Sequence, residues 1–293
     1  MIHPQTLTNR LLEIAQEQNR PFNSCWGDLL LERFLARLAS SVHADKFVFK
    51  GGFLLSYLME LGRETKDLDF LLTRLKAGTE ELREIFEQII LVPSSDGFTF
   101  SFGSIELLSQ PHMEYPGYRI FLNVASARVK GSTKDKIAVD VGVGDVVDQL
   151  THEISLVHYR GKPFFESSIS LQVYPPEFIF SEKLETAISK GADNSRMKDY
   201  HDLILLIRQK EMIHLDKLHG AIERTFSNRG TQLRPINFDK PSLDTIQKLW
   251  TAHLSGLGDF AQDLDLPQDF AVVLEEINKY ILAVNEVANS KKG

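Results

Sequence analysis

Asp67 and Asp69 stand two residues apart in a run that is typical of a β-strand, and a Gly51-Gly52 pair precedes them by one short helix. Side chains at i and i+2 of a strand project to the same side, so both carboxylates face one way. Such a pair is repulsive unless a cation lies between the two charges, and Mg²⁺ takes one or two protein carboxylates together with substrate phosphates. A glycine turn at a helix N-terminus lets backbone N–H groups approach a phosphate. The spacing therefore favours metal-dependent chemistry on a nucleotide.

A third acid, Asp140, lies in KIAVDVGVGD, a run with apolar residues on both faces that predicts a central strand. A buried carboxylate needs a partner, because an unpaired buried charge is costly. Two interpretations are open. Asp140 is either in a structural ion pair with Arg119 or Arg128, or it is a third acidic ligand or a base beside Asp67 and Asp69.

Two further candidates lie on predicted helices. Lys183 flanks the apolar stripe of EFIFSEKLETAISK, where a lysine usually keeps its head in solvent; the alternative is a point charge on a triphosphate. The segment NSRMKDYHDL carries Arg196, Asp199 and Asp202, with the two acids at i and i+3 on one helix face. Taken alone, this cluster is a solvated helix start with pairs such as Lys198–Asp202.

The elements that position these residues alternate between strand and helix, and then become helical. The first part contains these predicted segments: helical 5–42, strand 46–50, helix 52–62, strand 67–72, helix 78–91, and the strand runs FTFSF, YRIFLNVASARV, KIAVDVGV and SISLQVY, with a hairpin tip at 130–135. Pro175-Pro176 cannot continue a central strand, so a domain boundary is predicted near residue 174. Beyond it the predicted helices are 177–190, 196–210, 215–226, 242–254 and 268–288, with a polar loop at 227–241. The expected fold class is α/β (α+β) with a mixed sheet in domain 1–174 and a helical C-terminal domain at 175–293.

Composition excludes several function classes. The 293 residues carry a net charge of −7, so any nucleic-acid contact must come from a local basic patch. The single cysteine, Cys25, excludes an intrachain disulfide and a Cys-rich zinc site and fits a reducing cytoplasm. We expect no signal peptide and no membrane span. The sequence contains no HExxH, GxSxG or P-loop motif.

Together, the ordered segments FVFKGGFLLSY, GRETKDLDF, IAVDVGVGD and FSEKLETAISKG with NSRMKDYHDL resemble the AbiEii/AbiGii family over about residues 30–235. This family comprises nucleotidyltransferase-like toxins of bacterial toxin–antitoxin pairs and includes the MenT proteins. The resemblance implies a polymerase-β-type nucleotidyltransferase core followed by a helical domain. It also implies Mg²⁺, or Mn²⁺, as the cofactor.

By the same resemblance, each candidate residue has an expected role. Gly51 and Gly52 open the nucleotide-binding turn, Asp67 and Asp69 are metal ligands, and Asp140 takes the place of a third carboxylate. The remaining roles are these: Lys183 on the triphosphate, Asp199 (first choice) or Asp202 completing the site, and Lys50, Ser56, Arg63 and Arg196 as nucleotide-binding residues. Ser56 is included because the turn reads GGF where many such transferases have Gly-Ser. Phe53 has no hydroxyl to contact phosphate, and Ser56, one helical turn later, could supply one. Arg33 and Arg37 are less secure site residues.

The function implied is transfer of a nucleoside monophosphate from an NTP to RNA, with the tRNA 3′ end as acceptor. Translation would be blocked, a cognate antitoxin is expected as a partner, and phage defence is a matching role. Basic residues that could contact RNA are Arg128, Lys130, Lys134 and Lys136, or Arg224, Arg229 and Arg234. Two alternatives stay open: a metal-dependent phosphoesterase or nuclease that uses the same acids, and a non-enzymatic module that binds a nucleotide or a protein.

Overall fold

The structure, a computed structural model, describes residues 3–73, 78–108, 117–126, 135–143 and 150–290. Apart from its last residue, the hairpin tip predicted at 130–135 lies outside these residues, as do Arg128, Lys130 and Lys134. The chain divides into two compact units. The first comprises residues 1–60 and 64–174, and the second comprises residues 61–63 and 175–293.

The first unit is built on a mixed sheet. Its strands are β1 Phe47–Lys50, β2 Asp67–Leu72, β3 Phe98–Leu108, β4 Gly117–Ser126, β5 Asp135–Val143, β6 Leu150–Ser155, β7 His158–Tyr159, β8 Lys162–Pro163 and β9 Ser168–Val173. Within the described ranges, seven of them form one sheet in the order β3-β4-β5-β2-β1-β9-β6, and β7 pairs with β8. The β2–β5 and β1–β9 pairs are parallel and the other pairs are antiparallel. The predicted fold class, with a mixed sheet, is confirmed.

Four helices accompany this sheet in the described part of the first unit. They are α1 Pro4–Glu17, α2 Phe22–Ala39, α3 Gly51–Leu58 and α4 Thr79–Ile90. The prediction that α3 reaches residue 62 is wrong. The backbone is already extended at Met59, and Gly62 has a φ of +61° with the side chains of Phe260 and Leu264 against its Cα. Residues 61–63 thus pack with the second unit, and the helix has to end before them.

The regular secondary structure described in the second unit is all helical. Its helices are α5 Pro176–Lys190, α6 Met197–Arg208, α7 Leu215–Arg229, α8 Lys240–Leu257, α9 Phe260–Asp263 and α10 Phe270–Ser290. Pro176 takes the first turn of α5, where the missing N–H of proline costs nothing. Large apolar side chains fill the core, and Phe180, Tyr200, Trp250 and Phe270 are all fully buried. Among the described residues, none of these helices combines the length and the apolar character that a membrane crossing requires.

Candidate active site

The two carboxylates of β2 lie on one face of an interior strand. Leu68 and Phe70, which alternate with them, are buried on the other face, while Asp67 and Asp69 are half-buried. The strand register pairs Asp69 with Asp140 on β5. The topology therefore aligns the three predicted acids across two neighbouring strands, on the face that the alternation predicts.

Gly51 places the start of α3 directly against the second carboxylate. Its φ is +77°, and a Cβ at this position would lie 2.1 Å from Asp69 Oδ2. Only glycine fits, because any other residue would meet both the unfavourable backbone conformation and the carboxylate. The N-terminus of the helix, where backbone N–H groups are free to bind anions, and the Asp67–Asp69 pair thus form one local arrangement.

Arg119 on β4 determines what Asp140 does in this structure. Its Nε donates to Asp140 Oδ1 at 2.7 Å and its Nη2 donates to Oδ2 at 2.6 Å, while Nη2 lies 3.7 Å from Asp67 Oδ2. The hydrogen bond to Asp140 raises the pKa of the Arg119 guanidinium above its ordinary value. Of the two interpretations of Asp140, the structure contains the ion pair with Arg119. A metal-ligand role for Asp140 stays a prediction, and it would require the guanidinium to move.

Two other residues near the glycine turn have partners of their own. Lys50 pairs with Asp69 across β1 and β2, and its Nζ lies 4.9 Å from the centre of the Tyr174 ring. Ser56 is exposed, and its hydroxyl donates to the Phe53 carbonyl at 2.7 Å. The phosphate contact expected of Ser56 would therefore replace a bond to its own helix.

A second charged cluster lies in the second unit around Lys183. Its Nζ is 2.7 Å from Asp202 Oδ2 and 3.0 Å from Asp199 Oδ1. Arg63 donates to Asp202 from Nε to Oδ1 at 2.7 Å and from Nη2 to Oδ2 at 2.6 Å. Arg196 Nε donates to Asp199 Oδ2 at 2.8 Å. The structure thus brings together five of the predicted site residues, of which Arg63 is distant in sequence from the others.

The expectation of a solvated helix start is wrong for this cluster. The Asp202 side chain is fully buried, that of Asp199 is 2% exposed and that of Lys183 is 12% exposed. Burial alone would lower the pKa of Lys183, but the nearby carboxylates outweigh it and the pKa is raised. Burial would likewise raise the pKa of both acids, yet the adjacent cations lower it in each. Lys183, Asp199 and Asp202 are therefore charged at neutral pH, and Asp202 is paired with Arg63 and Lys183 rather than with Lys198.

The two acids differ in what surrounds them. Asp202 is enclosed by two buried cations, whereas Asp199 is bound by Lys183 and by Arg196, whose side chain is 50% exposed. The ion pairs of Asp202 are thus buried, whereas the pair of Asp199 with Arg196 reaches the surface. The preference for Asp199 over Asp202 stays a prediction, which this geometry supports.

Arg33 and Arg37 are structural residues. Arg33 is fully buried and paired with Glu32 and Glu166. Arg37 binds Asp96 through both ends of its guanidinium, at 2.7 and 2.9 Å. Both arginines therefore hold the first unit together through α2.

The basic residues proposed for RNA contact differ in accessibility. Lys136, Arg224 and Arg234 are exposed, and Lys136 Nζ lies 3.7 Å from the centre of a phenylalanine ring. Arg229 instead makes a 2.6 Å ion pair with Glu185. The exposed three stay candidates for phosphate contact.

No cluster of three or more His, Cys, Asp or Glu residues suited to a metal ion occurs among the described residues. The Asp67–Asp69 pair nevertheless fits Mg²⁺, which usually takes one or two carboxylates and completes its shell with water and substrate phosphates. The role of the adjoining glycine turn in phosphate binding stays a prediction.

With this geometry established, comparison with known proteins assigns the chain to a family. Residues 33–276 match the family described as "Nucleotidyl transferase AbiEii toxin, Type IV TA system". The chain belongs to the AbiEii family. The resemblance drawn from the sequence is confirmed, and with it a nucleotidyltransferase toxin that acts on an NTP and has a cognate antitoxin. Enzymes of this class generally use divalent metal ions.

Solved structures similar to this AbiEii-family chain are distant in sequence. They include JHP933 from Helicobacter pylori, with 14% identity, a TM-score of 0.46 and coverage of 92% of this chain and 95% of that chain. They also include an antigenic nucleotidyltransferase-like protein from Paracoccidioides brasiliensis, with 17% identity, a TM-score of 0.35 and coverage of 70% and 88%. No curated protein has a sequence that matches significantly.

Proposed function

We propose that this chain transfers a nucleoside monophosphate from an NTP to a hydroxyl group of RNA, with the 3′ end of tRNA as the acceptor, and thereby blocks translation. The observation that carries the proposal is the contact of the Gly51 turn with Asp69. At this contact, a helix N-terminus that would bind phosphate adjoins the acid pair that would hold the metal ion. The choice of RNA as the acceptor rests on the family resemblance. We expect the reaction to take place in the cytoplasm.

Asp67 and Asp69 would hold the Mg²⁺ or Mn²⁺ ion. When bound, this cation would supply charge neutralisation at the α-phosphate. Backbone N–H groups at Gly51 and Gly52 would bind phosphate oxygens and orient the triphosphate for in-line attack. Arg119 would keep Asp140 paired and limit the repulsion that the acidic face exerts on the substrate.

Lys183 is the candidate for neutralising the pyrophosphate leaving group, as the family resemblance implies. The cluster of Lys183, Arg63 and Arg196 with Asp199 and Asp202 has three positive and two negative charges, so it keeps one positive charge. Fixed cations of this kind stabilise developing negative charge on phosphates. Replacement of Lys183 by alanine is expected to lower the rate of transfer, provided that the variant folds.

The direct test is incubation of the purified protein with tRNA, Mg²⁺ and each of the four NTPs in turn, labelled at the α-phosphate. We expect the label to join the RNA, which should grow by one or a few nucleotides on a denaturing gel. A nuclease would shorten the RNA, and a binding module would leave its length unchanged. Absence of label transfer with all four NTPs, onto tRNA and onto total RNA, would contradict the proposal.

Translation block is tested separately. Treated and untreated tRNA are added to a cell-free translation mixture, and protein synthesis is measured. Loss of synthesis only with the treated tRNA is expected. Full synthesis with tRNA that carries the added nucleotide would overturn the translation part of the proposal and leave the transfer reaction standing.

A further inference from the structure

The sheet face that carries the acid pair of β2 stays accessible beyond it, across β5 and β4. On β4, Phe121 and Asn123 are half-buried, whereas Leu122, which alternates with them, is buried on the opposite face. On β5, Ala138 is half-buried and Lys136 is exposed. The register pairs Phe121 with Ala138 and Asn123 with Lys136, so an aromatic ring, an amide and a cation share this face.

The strand registers place Phe121 in line with Asp67. Asp67 on β2 is paired with Ala138 on β5, and Ala138 is in turn paired with Phe121 on β4. Residues paired in this way point to the same side of a sheet. Neighbouring strands are about 4.8 Å apart, so the Cα atoms of Asp67 and Phe121 are about 10 Å apart. The small side chain of Ala138 lies between them in the row and leaves room for a ligand.

Phe121 lies on the side of the acid pair that an acceptor has to approach. In the sheet, β1 and the Gly51 turn are on one side of β2, and β5 and β4 are on the other. In-line phosphoryl transfer puts the attacking and the leaving oxygen on opposite sides of the reacting phosphorus. With the triphosphate at the Gly51 turn, the acceptor hydroxyl therefore arrives from the side of β5 and β4.

The surroundings of Phe121 are those of a stacking platform for a base. Unpaired bases of RNA stack on aromatic side chains, and basic residues beside the ring bind the backbone. The Nζ of Lys136 lies 3.7 Å from the centre of the Phe121 ring, which holds a positive charge at the platform. Because Lys136 is exposed, its ammonium can move from the ring to a phosphate when a base takes its place.

We propose that the base of the terminal nucleotide of the RNA acceptor stacks on Phe121, with its phosphate beside Lys136 and its ribose hydroxyl toward the acid pair. The choice of RNA as the ligand rests on the proposed function. The placement rests on the strand registers, on the sheet order and on the contact between ring and ammonium. Phe121 would thus orient the acceptor, while the NTP binds at the Gly51 turn without it.

Binding is measured by fluorescence anisotropy in the Asp69→Asn background, so that turnover plays no part and the result is independent of the transfer assay. The probes are a short single-stranded RNA with the 3′-terminal sequence of tRNA and the same RNA whose last residue lacks its base. We expect the protein with Phe121 to bind the complete RNA about ten-fold more tightly, which corresponds to about 1.4 kcal/mol. Phe121→Leu should bind the two RNAs equally. Equal binding by the protein with Phe121, or a preference that survives in Phe121→Leu, would overturn the proposal.

Phe102 provides the matched control, because it carries the same ring on the opposite face of the same sheet. It is paired with Leu122, it is half-buried, and the Arg83 guanidinium lies 4.7 Å from its ring centre. Phe102→Leu and Phe121→Tyr should both keep the preference for the complete RNA, and thermal unfolding shows whether each variant is folded. An equal loss of preference in Phe102→Leu and Phe121→Leu would also overturn the proposal. The comparison of the two RNAs on the protein with Phe121 stands even if Phe121→Leu is unstable.

Two further measurements separate the parts of the proposal. A non-hydrolysable NTP analogue should bind equally with and without the Phe121 ring; weaker binding of the analogue to Phe121→Leu, with RNA binding unchanged, would assign the ring to the NTP and overturn the proposal. Lys136→Gln should lower the dependence of log Kd on log salt concentration by about one, and an unchanged dependence would contradict the phosphate contact. A protein that binds RNA as expected but transfers no label would contradict only the proposed function.

Discussion

Replacement of Gly51 by alanine should inactivate the enzyme by moving Asp69. At a φ of +77°, a residue with a Cβ adopts a conformation that costs about 1–2 kcal/mol. The new Cβ would also lie 2.1 Å from Asp69 Oδ2, whereas ordinary contact begins at 3.4 Å, so the two atoms must separate by about 1.3 Å. A misplacement of about 1 Å at a reacting centre costs on the order of 100-fold in rate.

The assay is the rate of label transfer to tRNA, followed together with thermal unfolding. Gly97→Ala is the matched control in the same unit, since Gly97 has a φ of +79° and no heavy atom within 4 Å of a Cβ. Both variants share the backbone cost of the positive φ, which lowers Tm by about 2–4 °C for each kcal/mol, and Gly51→Ala should lose further stability because its Cβ meets Asp69. Only Gly51→Ala should lose about 100-fold in rate. If Gly51→Ala transfers as fast as Gly97→Ala, the inferred coupling between the turn and Asp69 is wrong.

Further predictions concern the second unit. Asp202→Asn should lower the free energy of unfolding in urea by about 3–5 kcal/mol, because it removes the negative charge that two buried cations face. Asp199→Asn should lower it by less, since its partner Arg196 is half exposed. An equal loss in the two variants would count against this distinction. Burial lowers the pKa of His201 from 6.5 to about 4 and also lowers that of His253, to which His201 is hydrogen-bonded. Between pH 6.5 and about 4, His201 is protonated more fully in the unfolded protein than in the folded protein. The free energy of unfolding should therefore fall as the pH is lowered from 6.5, by about 2 kcal/mol at pH 5 for His201. Urea unfolding from pH 7.5 to 5 checks this, and His201→Gln should flatten the profile; a wild-type profile with no decline would contradict the argument.

The strand edge with its acids could be predicted because local spacing determines it. Alternation along β2 fixes the common face of Asp67 and Asp69, and a glycine pair at a strand end signals a turn. Apolar residues on both faces of KIAVDVGVGD placed Asp140 on an interior strand. Its partner was left open between two arginines, since the choice depends on how β4 and β5 align.

The environment of Lys183 could not be predicted, because it depends on a distant residue. Arg63 comes from a loop 139 residues before Asp202, and no local pattern in either segment indicates that they meet. When Arg63 is left out of account, the charged residues that begin at Arg196 have the composition of a helix start on a solvent-exposed surface. The edge strand β6 escaped prediction for a related reason: most of its side chains are exposed, so its apolar alternation is weak.

The most direct test of the central claim compares Asp69→Asn with Asp45→Asn in the label-transfer assay. Asp45 is an exposed acid in the same unit, so the two variants remove the same charge in different places. We predict that wild-type protein and Asp45→Asn add nucleotide to tRNA at similar rates in Mg²⁺, and that folded Asp69→Asn adds none. Nucleotide addition by Asp69→Asn at the wild-type rate would contradict the account.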